Sequence, residues 1–368
     1  MKHYIFSALF LLSGTFYGNA QNSTYILSDF YADDPELDRR TEQVFSALSD
    51  TQRVGQMIVP PAGELGRSEA VLLRLVAEGK VGSVNYLRGT REAHRELIRK
   101  VNETAAQYEQ LPVLHGMDAE PGLLKGRIKG SEPIPAAASI KSPEANEAVA
   151  RAINKELLEL GILHNYAPVS DLGTANAAIK SRSYGSSIDS VILFNRGFIA
   201  ATQEAGIVAT AKHFPGHGLV TGDTHKRSVY IDGELKELGV YPPLIKQGLI
   251  SVLVGHMTII NNEKYSTNGL PASLSRNIVT GLLREELGFK GIIVTDALNA
   301  MKAVTIIENS ALKASMAGCD LLCMPLDENQ AINSILDEMS RNEAYKDQVY
   351  TSVKKIIRLK IVLGLIKM

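Results

Sequence analysis

This chain has little of what marks several large protein classes. No basic run points to nucleic acid, and no acidic tail points to a charged partner. The formal net charge is −1, with both signs interspersed. No Gly/Ser-rich linker and no low-complexity segment interrupts it. Only two cysteines occur, Cys319 and Cys323, in "AGCDLLCMP", which reads as a buried strand. Four residues apart on a strand, both side chains face one way but are too far apart for a relaxed disulfide. They read as two buried thiols, and no metal-ligand spacing is present. What remains is a 368-residue chain with 45% apolar residues, enough for a large core. That length suits one large α/β domain or two modest ones.

The first residues stand apart. Lys2 and His3 precede an apolar run from Ile5 to Tyr17, and "GNA" then precedes Gln21. The run is too short for a comfortable transmembrane helix. Small residues at the cleavage position predict a secretory signal peptide over 1–20, with the mature chain at 21–368. The alternatives are an uncleaved anchor or a buried first helix. No Cys follows the run, so lipid anchoring through Cys is not indicated. The expectation is an exported protein, periplasmic or extracellular, with no stable membrane insertion after cleavage.

From Val54 onward, apolar runs alternate with amphipathic stretches. Strands are predicted at 54–60, 81–87, 112–118, 162–171, 207–214, 251–257, 291–298 and 320–325. Helical spacing marks 68–79, 91–108, 142–161, 278–288 and 308–318. Ser142 before Pro143 starts one helix, and Gly161 and Gly288 stop others. A polar lead-in with a capping helix precedes the first strand, and a helix with a basic face ends the chain. Eight strands alternating with helices predict an α/β fold, a single (β/α)8 TIM barrel. An open doubly wound sheet is the alternative.

In such a barrel, chemistry sits at the C-terminal strand ends. Those ends carry Asp118 and Glu120, then Asp171 with Arg182 beyond it, Lys212 and His213, His256, and Asp296. Any one could be structural, and Asp296 could cap a following helix near Leu298. Their convergence is harder to explain that way. The loop "KHFPGHGLVTGDTHKRS" (212–228) is unsuited to helix or strand. In it Asp223 and His225 are one residue apart, so in an extended loop they point the same way. An aspartate beside a histidine fixes its tautomer and raises its basicity, which makes a general acid/base. A turn in "TGDT" with His225 in solvent is the alternative, as is a metal held by His213, His217 and His225.

"KHFPGHG…GDTH", "SRSYG", "PASLS", "REELGFKGIIVTDAL" and "LSDTQRVGQM" resemble family 3 glycoside hydrolases. More narrowly, they resemble bacterial β-N-acetylglucosaminidases of that family. The resemblance covers nearly the whole mature chain, in order. It implies a (β/α)8 barrel with Asp296 as a nucleophile that forms a covalent glycosyl-enzyme. His225, paired with Asp223, would be the acid/base, where most glycosidases use a second carboxylate. Asp118, Arg182, Lys212 and His213 match positions that bind the terminal N-acetylglucosamine. No cofactor or metal is implied. The partner would be a glycan containing N-acetylglucosamine, such as a peptidoglycan fragment, and the enzyme would act as a monomer.

One stretch departs from the family pattern. In "MDAEPGLLKGRIKG", Pro121 and Leu123 stand where a glycine and an arginine are usual, and Arg127 lies one position beyond the usual second arginine. Contacts from this loop are therefore not carried over. Two-domain relatives take an acid/base glutamate from a second domain, and the absence of that domain here favours the loop histidine. Rival expectations are a phosphorylase, since a histidine in place of a glutamate removes a charge that repels phosphate, another family 3 β-glycosidase, and a non-catalytic glycan-binding barrel.

Overall fold

The computed structural model describes residues 25–173, 176–220 and 228–368. Local chemistry sets the helix ends. Asp34 accepts from the amides of Glu36 and Leu37, and Pro35 opens helix Pro35–Ser46. Ser49 and Gln52 then cap each other's backbone and start a second helix, Asp50–Gly55. The predicted lead-in helix is thus two helices. The second takes Val54 and Gly55, so the first strand begins later than the apolar run suggested.

The strands, in chain order, are β1 (Ile58–Val59), β2 (Pro61–Ala62), β3 (Ser83–Tyr86), β4 (Gly89–Thr90), β5 (Leu114–Met117), β6 (Ile128–Lys129) and β7 (His164–Asn165). They continue with β8 (Val208–Phe214), β9 (Tyr230–Asp232), β10 (Ser251–Val254), β11 (Thr258–Ile260), β12 (Ile292–Thr295) and β13 (Leu322–Cys323). Seven of them form one parallel sheet in the order β12-β10-β8-β7-β5-β3-β2. β1 pairs in parallel with β13, and a parallel bridge joins Val294 to Leu321. The architecture is α/β and TIM-barrel-like, with a curled parallel sheet whose strands alternate with helices. Two short parallel pairs, β4 with β6 and β9 with β11, tie loops to one another beyond the strand ends.

Most predicted elements are present but shorter. Pro60 separates β1 from β2, because proline has no N–H for the ladder. In the stretch predicted as a strand over 162–171, only His164–Asn165 joins the sheet, and Val169 adds one bridge to Lys212. Pro168 interrupts it for the same reason. Helix Pro143–Leu160 runs from the Ser142 cap to Gly161 in the left-handed region (φ 77°). Helix Ile188–Glu204, capped by Ser187, was not singled out in the sequence, and neither was Glu328–Arg341. The stretch predicted as a helix over 278–288 is wound as a π-helix over Asn277–Glu286.

The two thiols are buried and free, but they do not share a strand face. β13 begins only at Leu322, and Cys319 directly follows Gly318, which ends helix Ser310–Ala317. Cys319 Sγ contacts the Ser273 carbonyl, whereas Cys323 faces Asn85. Among the described residues, no helix is long and apolar enough to cross a membrane.

Candidate active site

Parallel strands bring their C-terminal ends to one side, and five of them deliver ionisable groups there. Asp118 and Glu120 follow β5. Lys212 lies on β8, buried to 2% exposure, between them: its Nζ is 2.6 Å from Asp118 Oδ1 and 2.6 Å from Glu120 Oε1. Arg182 clasps the same Glu120 with Nε at 2.7 Å and Nη2 at 2.8 Å, a bidentate fork. Arg127 reaches back to Asp118, with Nη2 3.6 Å from Oδ2. Burial opposes charge on Asp118, Glu120, Lys212 and Arg182, but the opposite charges win. Lys212 and Arg127 hold Asp118 below its ordinary range, and Arg182 and Lys212 hold Glu120 well below it. Against the same burial, Asp118 and Glu120 push Lys212 upward. All are therefore ionised at neutral pH, and the cluster is internally paired. Asp118 keeps 20% of its side-chain exposure and Arg182 keeps 23%, so polar atoms remain open to a ligand.

A second group sits beside it. Asp171 is fully buried and accepts three bonds: His213 Nδ1 to Oδ2 at 2.7 Å, His213 N to Oδ1 at 3.1 Å and His217 N to Oδ1 at 2.8 Å. Burial again opposes ionisation, and the nearby His213 helps to override it. This fixes the His213 ring by its Nδ1 and leaves Nε2 as the free edge. The His217 ring lies 5.8 Å from that of His213, and Asn176 bonds its Nδ1 at 3.3 Å. Burial and the neighbouring His213 lower the His217 pKa to about 4, so it is neutral.

Asp296 follows β12. It caps no helix: among the described residues its Oδ1 takes only the adjacent Ala297 amide at 2.8 Å, and the next helix begins at Lys302. Burial raises its pKa, but His256 and His213 overcome this and keep the carboxyl below its ordinary range. His256 is itself pinned, Nδ1 to Ser273 Oγ at 2.7 Å and Nε2 to the Ala297 carbonyl at 3.3 Å. Its pKa is lowered by burial. Asp296 is thus a partly desolvated carboxylate with few hydrogen bonds among the described residues, the condition that leaves lone pairs free for nucleophilic attack.

Of the residues predicted from sequence, Asp118, Arg182 and Lys212 form one ion-paired cluster. His213 and Asp296 stand next to it, electrostatically linked to each other. Asp223 and His225 lie outside the described residues. Among the described residues, no group of three or more His, Cys, Asp or Glu side chains is arranged to hold a metal ion. Sequence reasoning noted Glu120, Asp171 and His256 at strand ends but gave them no partners. It missed Glu237 and Asn176 entirely, since neither lies in a recognisable motif. Two surface grooves, of about 220 and 360 Å³, are lined by other residues, among them Leu326 and Gln330 in one and Arg151 and Leu158 in the other. Neither touches the cluster.

Residues 50–359 match the family described as Glycosyl hydrolase family 3 N terminal domain, and the chain belongs to that family. It is 29% identical over 268 residues to a Beta-hexosaminidase of Vibrio cholerae, covering 70% of this chain and 79% of that protein. Its fold is similar to that of a family 3 β-N-acetylglucosaminidase from Paenibacillus (TM-score 0.79, 28% identity), covering 87% of this chain and 63% of that one. It is also similar to a Beta-N-acetylhexosaminidase from Beutenbergia cavernae (TM-score 0.76, 26% identity), covering 84% of this chain and 97% of that one.

Proposed function

We propose that this chain is a retaining exo-β-N-acetylglucosaminidase acting on peptidoglycan fragments or related amino-sugar glycans. The observation that carries this is Asp296: a half-buried, ionised, sparsely bonded carboxylate at a strand end, next to a cluster rich in polar groups. The likeness to hexosaminidases in sequence and fold supports it. The closed eight-stranded barrel belongs to the same proposal. The Val294–Leu321 bridge and the β1–β13 pair support it, with β1 one residue from β2, which pairs with β3.

In this mechanism Asp118, Arg182, Lys212 and His213 bind the sugar hydroxyls. Asp296 attacks the anomeric carbon as the bond to the leaving oxygen breaks. His225, oriented by Asp223, gives that oxygen a proton. Water then attacks the same carbon, loses a proton to His225 and releases Asp296, so two inversions give net retention. Residues 1–20 would be removed on export, leaving one catalytic domain over 21–368 that acts as a monomer.

The test is release of aryl alcohol from an aryl β-N-acetylglucosaminide, and of sugar from chitobiose, with and without phosphate. His225→Ala should lose about 10²–10⁴-fold on the disaccharide and far less on a dinitrophenyl glycoside, whose leaving group needs no proton. Equal losses on both would move the acid/base elsewhere. Phosphate-dependent formation of a sugar 1-phosphate would make the enzyme a phosphorylase.

A further inference from the structure

Glu237 stands just before the short 3-10 helix Leu238–Val240 and is 4% exposed, yet no cation pairs with it among the described residues. Its carboxylate is spent on backbone amides from two separate loops. Oε1 accepts from Leu172 N at 2.7 Å and from Gly218 N at 3.1 Å, and Oε2 accepts from Leu219 N at 3.1 Å. Leu172 directly follows Asp171, which orients His213. Gly218 and Leu219 follow His217 and lead within a few residues to Asp223 and His225.

The fit is close on both sides. A Cβ on Gly216, whose φ is +136°, would collide with the Glu237 side chain, and one on Gly218 would collide with the Leu172 carbonyl. Both glycines are therefore needed for the chain to pass this close to the carboxylate. One carboxylate thereby ties the loop after β7 to the start of the loop after β8. Burial of an acid this deep is unfavourable, and Asp171 nearby adds repulsion, so its pKa rises to about 7 despite the three amides. An apolar side chain would avoid that cost only by leaving these amides without an acceptor, so the carboxylate is what joins the two loops.

We propose that Glu237 is a positioning residue for the proton donor, holding the root of the 215–227 segment against the Asp171 loop so that the group carried further along it meets the leaving oxygen. This rests on the reading of His225 as acid/base. The same logic applies to orienting partners in other acid/base pairs, whose loss costs less than loss of the acid itself.

The test compares full-length Glu237→Ala, Glu237→Gln and His225→Ala. Glu237→Ala should lower kcat on chitobiose by roughly ten- to a hundredfold. KM should stay within about threefold, as should kcat on the dinitrophenyl glycoside. Glu237→Gln keeps one acceptor oxygen and should recover most of the loss. Amide hydrogen exchange at Leu172, Gly218 and Leu219 should quicken in Glu237→Ala. If His225→Ala shows the leaving-group dependence and Glu237→Ala slows both substrates equally or neither, the positioning role is wrong and the acid/base assignment stands. Unchanged exchange at the three amides also overturns it. If His225→Ala shows no leaving-group dependence, the acid/base assignment fails and the positioning role falls with it. Should Glu237→Ala not fold, Glu237→Met replaces it, filling the space with no acceptor oxygen, and wild-type exchange and kcat in it would refute the inference.

Discussion

Glu120→Gln isolates what the ion-paired cluster contributes, because the shape is kept and one charge is removed. In the native protein Glu120 is 2% exposed and faces two cations: Arg182 through a bidentate fork and Lys212 at 2.6 Å. Lys212 would retain Asp118, but Arg182 would lose its only carboxylate partner among the described residues. Breaking a buried pair by removing one member costs about 3–5 kcal/mol. Arg182 is 23% exposed, so water compensates part of this. The expected loss is therefore about 3 kcal/mol at pH 7, a large share of the roughly 5–15 kcal/mol typical of a folded domain. The sign with pH follows from the direction of the shift. Glu120 is held well below its ordinary value of 4.5, so its stabilisation is present above that pH and fades as pH falls below it. The glutamine variant has nothing to titrate there. Denaturant unfolding at pH 7 and pH 3.5 should show a gap between wild type and variant that narrows in acid. With Arg182 no longer held, KM for an aryl N-acetylglucosaminide should rise about tenfold, which is ~1.4 kcal/mol of binding. A gap under 1 kcal/mol at pH 7, or one unchanged at pH 3.5, would refute the reasoning.

Further outcomes follow from other sites. Asp296→Asn should reduce kcat by at least about 10⁴-fold with unfolding behaviour preserved, and near-normal turnover would remove Asp296 as nucleophile. Lys360 is fully buried, with Gln56 Oε1 at 2.6 Å, and burial lowers its pKa from 10.5 to about 7. Its native pKa lies below the unfolded one, so the penalty is full below pH 7 and is relieved as pH rises towards 10.5. Lys360→Met with Gln56→Leu should stabilise the protein at pH 6 by roughly 4–5 kcal/mol and by much less at pH 9.5, and equal gaps at both would contradict this. Intact-mass measurement of the exported protein should give a chain starting near Gln21. Retention of Met1 would exclude cleavage.

The helices were legible where local chemistry decides them. Ser142–Pro143 and Gly161 mark both ends of their helix within a few residues, and the structure uses them as caps. Strand lengths were less legible. Pro60 and Pro168 interrupt apolar runs whose composition alone reads as continuous strand, because a ladder depends on N–H groups that hydrophobicity does not report. The two thiols illustrate the same limit: assigning Cys319 to a strand depended on a boundary that Gly318 moves.

The site divides along a similar line. Which residues gather was legible, because a parallel arrangement puts every C-terminal strand end on one side whatever the detailed register. Asp118, Asp171, Lys212, His213, His256 and Asp296 had to gather there once the strands were recognised. Which residue pairs with which was not legible, because those distances depend on register and twist. Lys212 and His213 are adjacent in one motif, yet Lys212 serves Asp118 and Glu120 while His213 serves Asp171. Glu237 is the extreme case. Its partners are amides, which every residue but proline carries, so no pattern of side chains could announce it. What the sequence does contain is their other half, in the glycines of "PGHG", which leave room for that carboxylate to reach the chain.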